Sequence, residues 1–132
     1  MPTIFDHEKL NVYQRSLDFV EFVETLLSDL PKGLAAHDQI ARASTSIPLN
    51  LAEGNGKFTA KDRCRFFDIA RGSALECAAA LDVLTRRNKI GVTTAEEGKI
   101  ILKEVVSMMV GLIRSQEGGR VYEDPAAYNE GD

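Results

Sequence analysis

The stretch Arg65-Phe66-Phe67-Asp68-Ile69-Ala70-Arg71-Gly72-Ser73-Ala74-Leu75-Glu76-Cys77-Ala78-Ala79-Ala80-Leu81-Asp82-Val83-Leu84 decides the fold. Within it Phe67, Ala70, Ala74, Cys77, Leu81 and Leu84 recur at alternating intervals of three and four residues, which keeps one side of an α-helix apolar. The pattern holds for almost three heptads and predicts a long helix with a single buried stripe. Such a stripe needs other helices against it. Thr59, with Asp62 three residues on, marks the start as an N-cap close to a capping box, and Asn88-Lys89-Ile90-Gly91 marks the close. That helix is nearly thirty residues, or about 43 Å, long.

Three more helices are legible around it. The first is predicted from about Leu10 to Leu30, with Leu10, Tyr13, Leu17, Val20 and Leu27 as its main apolar stripe and Pro31 and Gly33 beyond its end. The second is predicted from about Ala36 to Glu53, with Ile40, Ala43, Ile47 and Leu51 on one side. Pro48 falls inside it, removing one backbone hydrogen bond and crowding the carbonyl of Ser44, so a kink is expected there. Gly54-Asn55-Gly56 ends it. The fourth begins at Thr93 or Thr94 and runs to about Gln116, before Gly118-Gly119. Every connection is short, which makes consecutive helices antiparallel neighbours. The expected fold is all-α, an up-down-up-down four-helix bundle over residues 1–119. An acidic tail over 120–132 is expected to be disordered.

Composition narrows the function classes. The chain has 132 residues, 44% hydrophobic and 27% charged, which fits one globular domain. Two cysteines, Cys64 and Cys77, are too few for a disulfide scaffold or a four-cysteine zinc module. No apolar run is long enough to span a membrane, and the first residues lack the basic start and apolar stretch of a signal peptide. A cytoplasmic protein is the expectation. The net charge of −4 argues against a general nucleic-acid binder. That charge is uneven: residues 1–31 hold six acids against two bases, and 120–132 hold four acids against Arg120. Residues 54–71 carry Lys57, Lys61, Arg63, Arg65 and Arg71 against Asp62 and Asp68, a local excess of three positive charges. These five bases are the candidate nucleic-acid contact.

Helix two carries a polar row beside its apolar one. Gln39, Arg42, Ser46, Asn50 and Glu53 share one face, and Ser73 and Glu76 answer from helix three. Folding back at Asn55-Gly56 sets Arg42 opposite about 70–74 and Gln39 opposite about 73–77, so Arg42 is expected to reach the Glu76 carboxylate. The seven residues are expected to form a polar network that fixes helix register, with a ligand site or a network spanning two subunits as the alternatives.

Catalytic and metal chemistry find no constellation. No Glu-x-x-His pair occurs, so the di-iron bundle pattern is missing, and His37-Asp38 reads as a capping pair. Cys64 and Cys77, thirteen residues apart on one helix, are about 20 Å from each other and cannot bridge. Cys77 lies in the core stripe, and Cys64 sits between Arg63 and Arg65. No serine, histidine and acid are spaced as a triad, and Gly54-x-Gly56 lacks a phosphate-loop lysine. No cofactor or metal is expected. Apolar width is the stronger signal: Val12, Phe19, Phe22, Val23 and Leu26 on helix one, and two adjacent rows on helix four, exceed the seam one bundle needs. That excess is read as a subunit interface, with a wide core as the alternative.

Gln39-Ile40-Ala41-Arg42-Ala43 followed by Ser46-Ile47-Pro48-Leu49-Asn50-Leu51-Ala52-Glu53-Gly54 resembles the signature of bacterial four-helix-bundle proteins. These are related to proteins encoded in intervening sequences of large-subunit ribosomal RNA genes and to the accessory proteins of diversity-generating retroelements. Leu10-Asn11-Val12-Tyr13-Gln14 is similar to the family's opening, and Arg65 through Glu76 to its third-helix motif, so the likeness covers about residues 10–90. The resemblance implies an antiparallel bundle assembling as a ring, a homopentamer, without enzyme activity. It implies that Arg42, Asn50, Glu53, Ser73 and Glu76 are the family's polar network. In retroelement members a basic surface is associated with nucleic acid. Here Ala41 stands where relatives often carry a second arginine, and the chain is acidic overall. The expected role is a non-catalytic interaction or scaffold protein with itself, and another protein, as partners. The alternative is a nucleic-acid-associated accessory factor that binds weakly through 57–71.

Overall fold

The computed structural model describes residues 2–116. A short 3-10 turn, Asp6–Lys9, precedes four helices: α1 (Asn11–Ser28), α2 (Ala35–Asn55), α3 (Ala60–Arg86) and α4 (Val92–Gln116). The described residues contain no strand. Each helix packs on the next in sequence, and α1 also packs on α4, which closes the four into a bundle. The tail expected over 120–132 lies outside the described residues.

The stripe that announced α3 is its core: Phe67, Ala70, Ala74, Cys77, Leu81 and Leu84 are all buried. Ile40, Ala43, Ile47 and Leu51 of α2 are buried against it. α2 continues through Pro48, which is itself buried. Its last turn is closed by the Gly56 N–H, which donates to the carbonyls of Ala52 and Glu53. Thr59 caps α3, its Oγ1 accepting from the Asp62 N–H at 3.1 Å. α4 starts at Val92, slightly earlier than expected. Asn88 turns the chain between α3 and α4 with φ at 59°, a left-handed conformation that asparagine tolerates better than most residues.

Helix one corrects the sequence reading. Its buried row is Val12, Ser16, Phe19, Val23 and Leu26. The stripe of Leu10, Tyr13, Leu17, Val20 and Leu27 is only half-buried, flanking that row. Ser16 disguised the true row because a hydroxyl interrupts it. Its Oγ donates to the Tyr13 carbonyl at 2.7 Å, which meets its hydrogen-bonding need inside the core.

The excess apolar width on α1 and α4 has a different use from the one expected. Leu10, Tyr13, Phe22 and Leu27 of α1, and Ile101, Val106, Met108 and Leu112 of α4, pack against the chain's own core. The large apolar side chains left exposed along the helices are Leu49 on α2, Ile69, Leu75 and Val83 on α3, and Val92 and Ile100 on α4.

Candidate functional site

The polar row lies where α2 and α3 meet. Ser73 Oγ donates to Ser46 Oγ at 2.8 Å, and Asn50 Nδ2 donates to the Ser46 carbonyl at 2.8 Å and to its Oγ at 2.9 Å. Gln39 Nε2 donates to Glu76 Oε2 at 3.4 Å. Five of the seven residues are therefore joined in two groups. Ser46, Ser73 and Asn50 form the half-buried one, and Gln39 and Glu76 the exposed one.

Arg42 and Glu53 stand outside it. Arg42 is exposed and has no hydrogen bond or ion pair with the described residues, and the expected Arg42–Glu76 pair is not formed. The cause is register: Gln39 is level with Glu76 and Ser46 with Ser73. Arg42 therefore lies between those two levels, on the rim of a shallow groove that it shares with Gln39, Ser46, Ser73 and Glu76. Glu53 instead meets Lys57 one helical turn on, at 3.9 Å. Such an exposed pair contributes little.

The five bases of 54–71 do not form one surface. Arg63 holds the α2–α3 turn: its two terminal nitrogens donate to the Lys57 carbonyl at 3.2 Å and to Asn55 Oδ1 at 3.0 Å. Its Nε is buried without a partner. Asn55 Nδ2 in turn donates to Asp6 Oδ2 at 3.0 Å, so the turn is tied to the N-terminal segment. That hydrogen bond is the chief cause that lowers the Asp6 pKa. Arg71 lies in the groove between α3 and α4. Lys57, Lys61 and Arg65 remain near the turn. Lys57 Nζ and Arg65 Cζ sit over the Phe66 ring at 5.0 and 5.2 Å. Phe58 beside them is fully exposed.

The cysteines are structural. Both are buried, and burial, with Glu76 as a smaller cause, raises the Cys77 thiol to about 12. Cys64 points inward, with Sγ 3.8 Å from the Ile113 carbonyl. Among the described residues no cluster of histidine, cysteine and carboxylate side chains could hold a metal ion. No described helix is long and apolar enough to cross a membrane.

Sequence reasoning missed a second set of bases, Arg86, Arg87 and Lys89 at the α3–α4 turn, with Lys99 and Lys103 on α4. The run Arg86-Arg87-Asn88-Lys89 was the available signal.

Comparison with known proteins agrees with this architecture. No curated protein matches the chain. A solved crystal structure of a protein with unknown function from the S23 ribosomal protein family of Bacteroides thetaiotaomicron is similar, with a TM-score of 0.74 and 25% identity. The match covers 78% of this chain and 98% of that one. Residues 8–111 match the family model described as 23S rRNA-intervening sequence protein. With α1, α2, α3 and most of α4 inside that match, the chain belongs to the 23S rRNA-intervening sequence protein family.

Proposed function

We propose that this protein is a non-catalytic, self-associating bundle that works as an interaction or scaffold protein in the cytoplasm. The observation that carries the reading is the outer face of α2 and α3. Leu49 is 63% and Ile69 47% exposed there, beside the unpartnered Arg42 and the exposed Glu76. Apolar side chains left this exposed among the described residues, bordered by a cation without an ion pair there and by a carboxylate held only by Gln39, suit burial against a second copy. A homopentameric ring is the assembly the family resemblance favours. Light scattering at micromolar concentration tests it: a multiple of 14.5 kDa supports the reading and a monomer of 14.5 kDa refutes it. Replacing Leu49 and Ile69 with glutamate should then release monomers.

A second reading, a nucleic-acid-associated accessory factor, rests on Phe58. A fully exposed aromatic between Lys57 and Lys61 offers a base-stacking surface with phosphate contacts on either side. Mobility shift at two salt concentrations separates the readings, because phosphate contacts weaken steeply as salt rises. In this reading Phe58→Ala and Lys61→Ala weaken binding, and Arg63 is left untouched because it holds the turn.

A further inference from the structure

A groove of about 550 Å³ runs between α3 and α4. Its floor is apolar, made by Ala74, Ala78, Leu102 and Val106, with the half-exposed Leu75 at its edge. Arg71 and Lys103 stand along it. At Lys99 it joins a second depression walled by Val92, Arg86 and Arg87. Five cations therefore line the combined groove against two carboxylates, Asp82 and Glu96. Lys99 already pairs with Asp82 at 2.6 Å. The side chains of Arg71, Lys103, Arg86 and Arg87 have no hydrogen bond or ion pair with the described residues. From Arg71 to Arg86 the groove spans fifteen residues of α3, or about 22 Å at the helical rise.

We infer that this groove is a docking site for an acidic amphipathic helix of a partner protein, about four turns long. This rests on the interaction-protein reading and names its second surface. The apolar floor between two helices receives the apolar side of a third, the common helix-in-groove arrangement. The unpaired cations along the walls select carboxylates on that helix's flanks. A nucleic-acid strand fits poorly: the groove has an apolar floor, no aromatic side chain lines it for stacking, and two carboxylates interrupt its walls.

The test uses the full chain and a designed sixteen-residue helical peptide with leucine at helical spacing on one side and glutamate on the flanks. A second peptide has lysine in place of each glutamate. Fluorescence anisotropy at physiological salt reads binding, and light scattering reads assembly on the same samples. The glutamate peptide should bind and the lysine peptide should not. Arg71→Glu with Lys103→Glu should weaken binding by about tenfold or more, whereas Lys61→Glu with Arg65→Glu, an equal charge change elsewhere, should alter it by less than about threefold. Lys103→Glu alone, at an exposed site, should give an intermediate loss in a protein that melts like the parent. The inference is overturned if neither peptide binds, if both bind alike, or if the groove variants have no effect. It is also overturned if a single-stranded RNA of sixteen nucleotides displaces the peptide from the groove. Loss of assembly in the groove variants would mean that a second copy fills the groove, and overturns it too. An assembly that persists without peptide binding leaves self-association standing and removes only the docking site.

Discussion

Two glycines inside helices should respond in opposite directions to the same substitution. A Cβ on Gly54 would lie 2.8 Å from Cε1 and 2.9 Å from Cδ1 of Phe67, and 3.0 Å from the backbone carbonyl oxygen of Arg63. Neither obstacle can yield: Phe67 is fully buried in the core, and the other is main chain. At Gly72, in the middle of α3, a Cβ would meet nothing within 4 Å. Alanine is favoured over glycine in a helix interior by about 1 kcal/mol, so Gly72→Ala should stabilise by about that amount. Overpacking a core costs about 1–3 kcal/mol. With two unyielding contacts the upper end applies at Gly54, and after subtracting the helix gain the net loss is about 2 kcal/mol. At this chain length 1 kcal/mol moves the melting temperature by roughly 4 °C. Thermal unfolding followed by circular dichroism at 222 nm should therefore show Gly72→Ala about 4 °C above the parent and Gly54→Ala about 8 °C below it. A Gly54→Ala protein that melts at or above the parent temperature refutes the close approach of α2 to α3. A Gly72→Ala protein that loses stability would show that the outer face of α3 is packed against something.

Arg63→Ala should cost about 2 kcal/mol in urea unfolding, because it removes two charged hydrogen bonds from the α2–α3 turn, whereas Lys61→Ala should stay within about 0.5 kcal/mol. Equal effects would show that Arg63 is a surface base like its neighbour. Neither cysteine should react with Ellman's reagent in the native protein at pH 8, and both should react in denaturant; one rapidly labelled native thiol would contradict their burial. Glu8 accepts from the backbone N–H groups of Phe5 and Ile4, and the Phe5 bond is the main cause that lowers its pKa below the usual 4.5. Its contribution to the order of the N-terminal turn is complete above the unfolded value and is lost as pH falls through the lower folded value. An NMR titration midpoint for Glu8 at or above 4.5 would contradict the capping contact.

The fold was legible because α3 repeats its core residues without interruption, and spacing alone identifies a stripe when every member is apolar. Helix one was offset because Ser16 breaks its buried row, and periodicity cannot tell a satisfied core hydroxyl from a surface one. The polar row is legible as a face, and fold-back counting sets Gln39 opposite 73–77, where it meets Glu76. The same counting sets Arg42 opposite 70–74, one turn away, and the reach of its long side chain to Glu76 is what the spacing could not decide. Arg63 read as one base among five because its role depends on where the Lys57 carbonyl points, and a carbonyl's direction is a property of the folded turn. The second basic set was visible as a run of letters, but its value depends on α4 bringing Lys99 and Lys103 alongside.

The seam between α1 and α4 differs from the other three because it joins helices far apart in sequence. Arg15 spans it, with Nε 2.8 Å from Glu104 Oε2, across 89 positions of chain. Every other neighbouring pair among the four helices is consecutive, so its contacts are local and form at little loop-closure cost. Sequential helix pairs can assemble first, and the α1–α4 seam then closes the cycle, the one step that carries the entropy of a long loop. A cyclic arrangement of this kind has no privileged first helix. The start of α1 and the end of α4 lie at the same end of the bundle, so the same packing is available to a circularly permuted chain that opens at the α2–α3 turn and runs α3, α4, α1, α2.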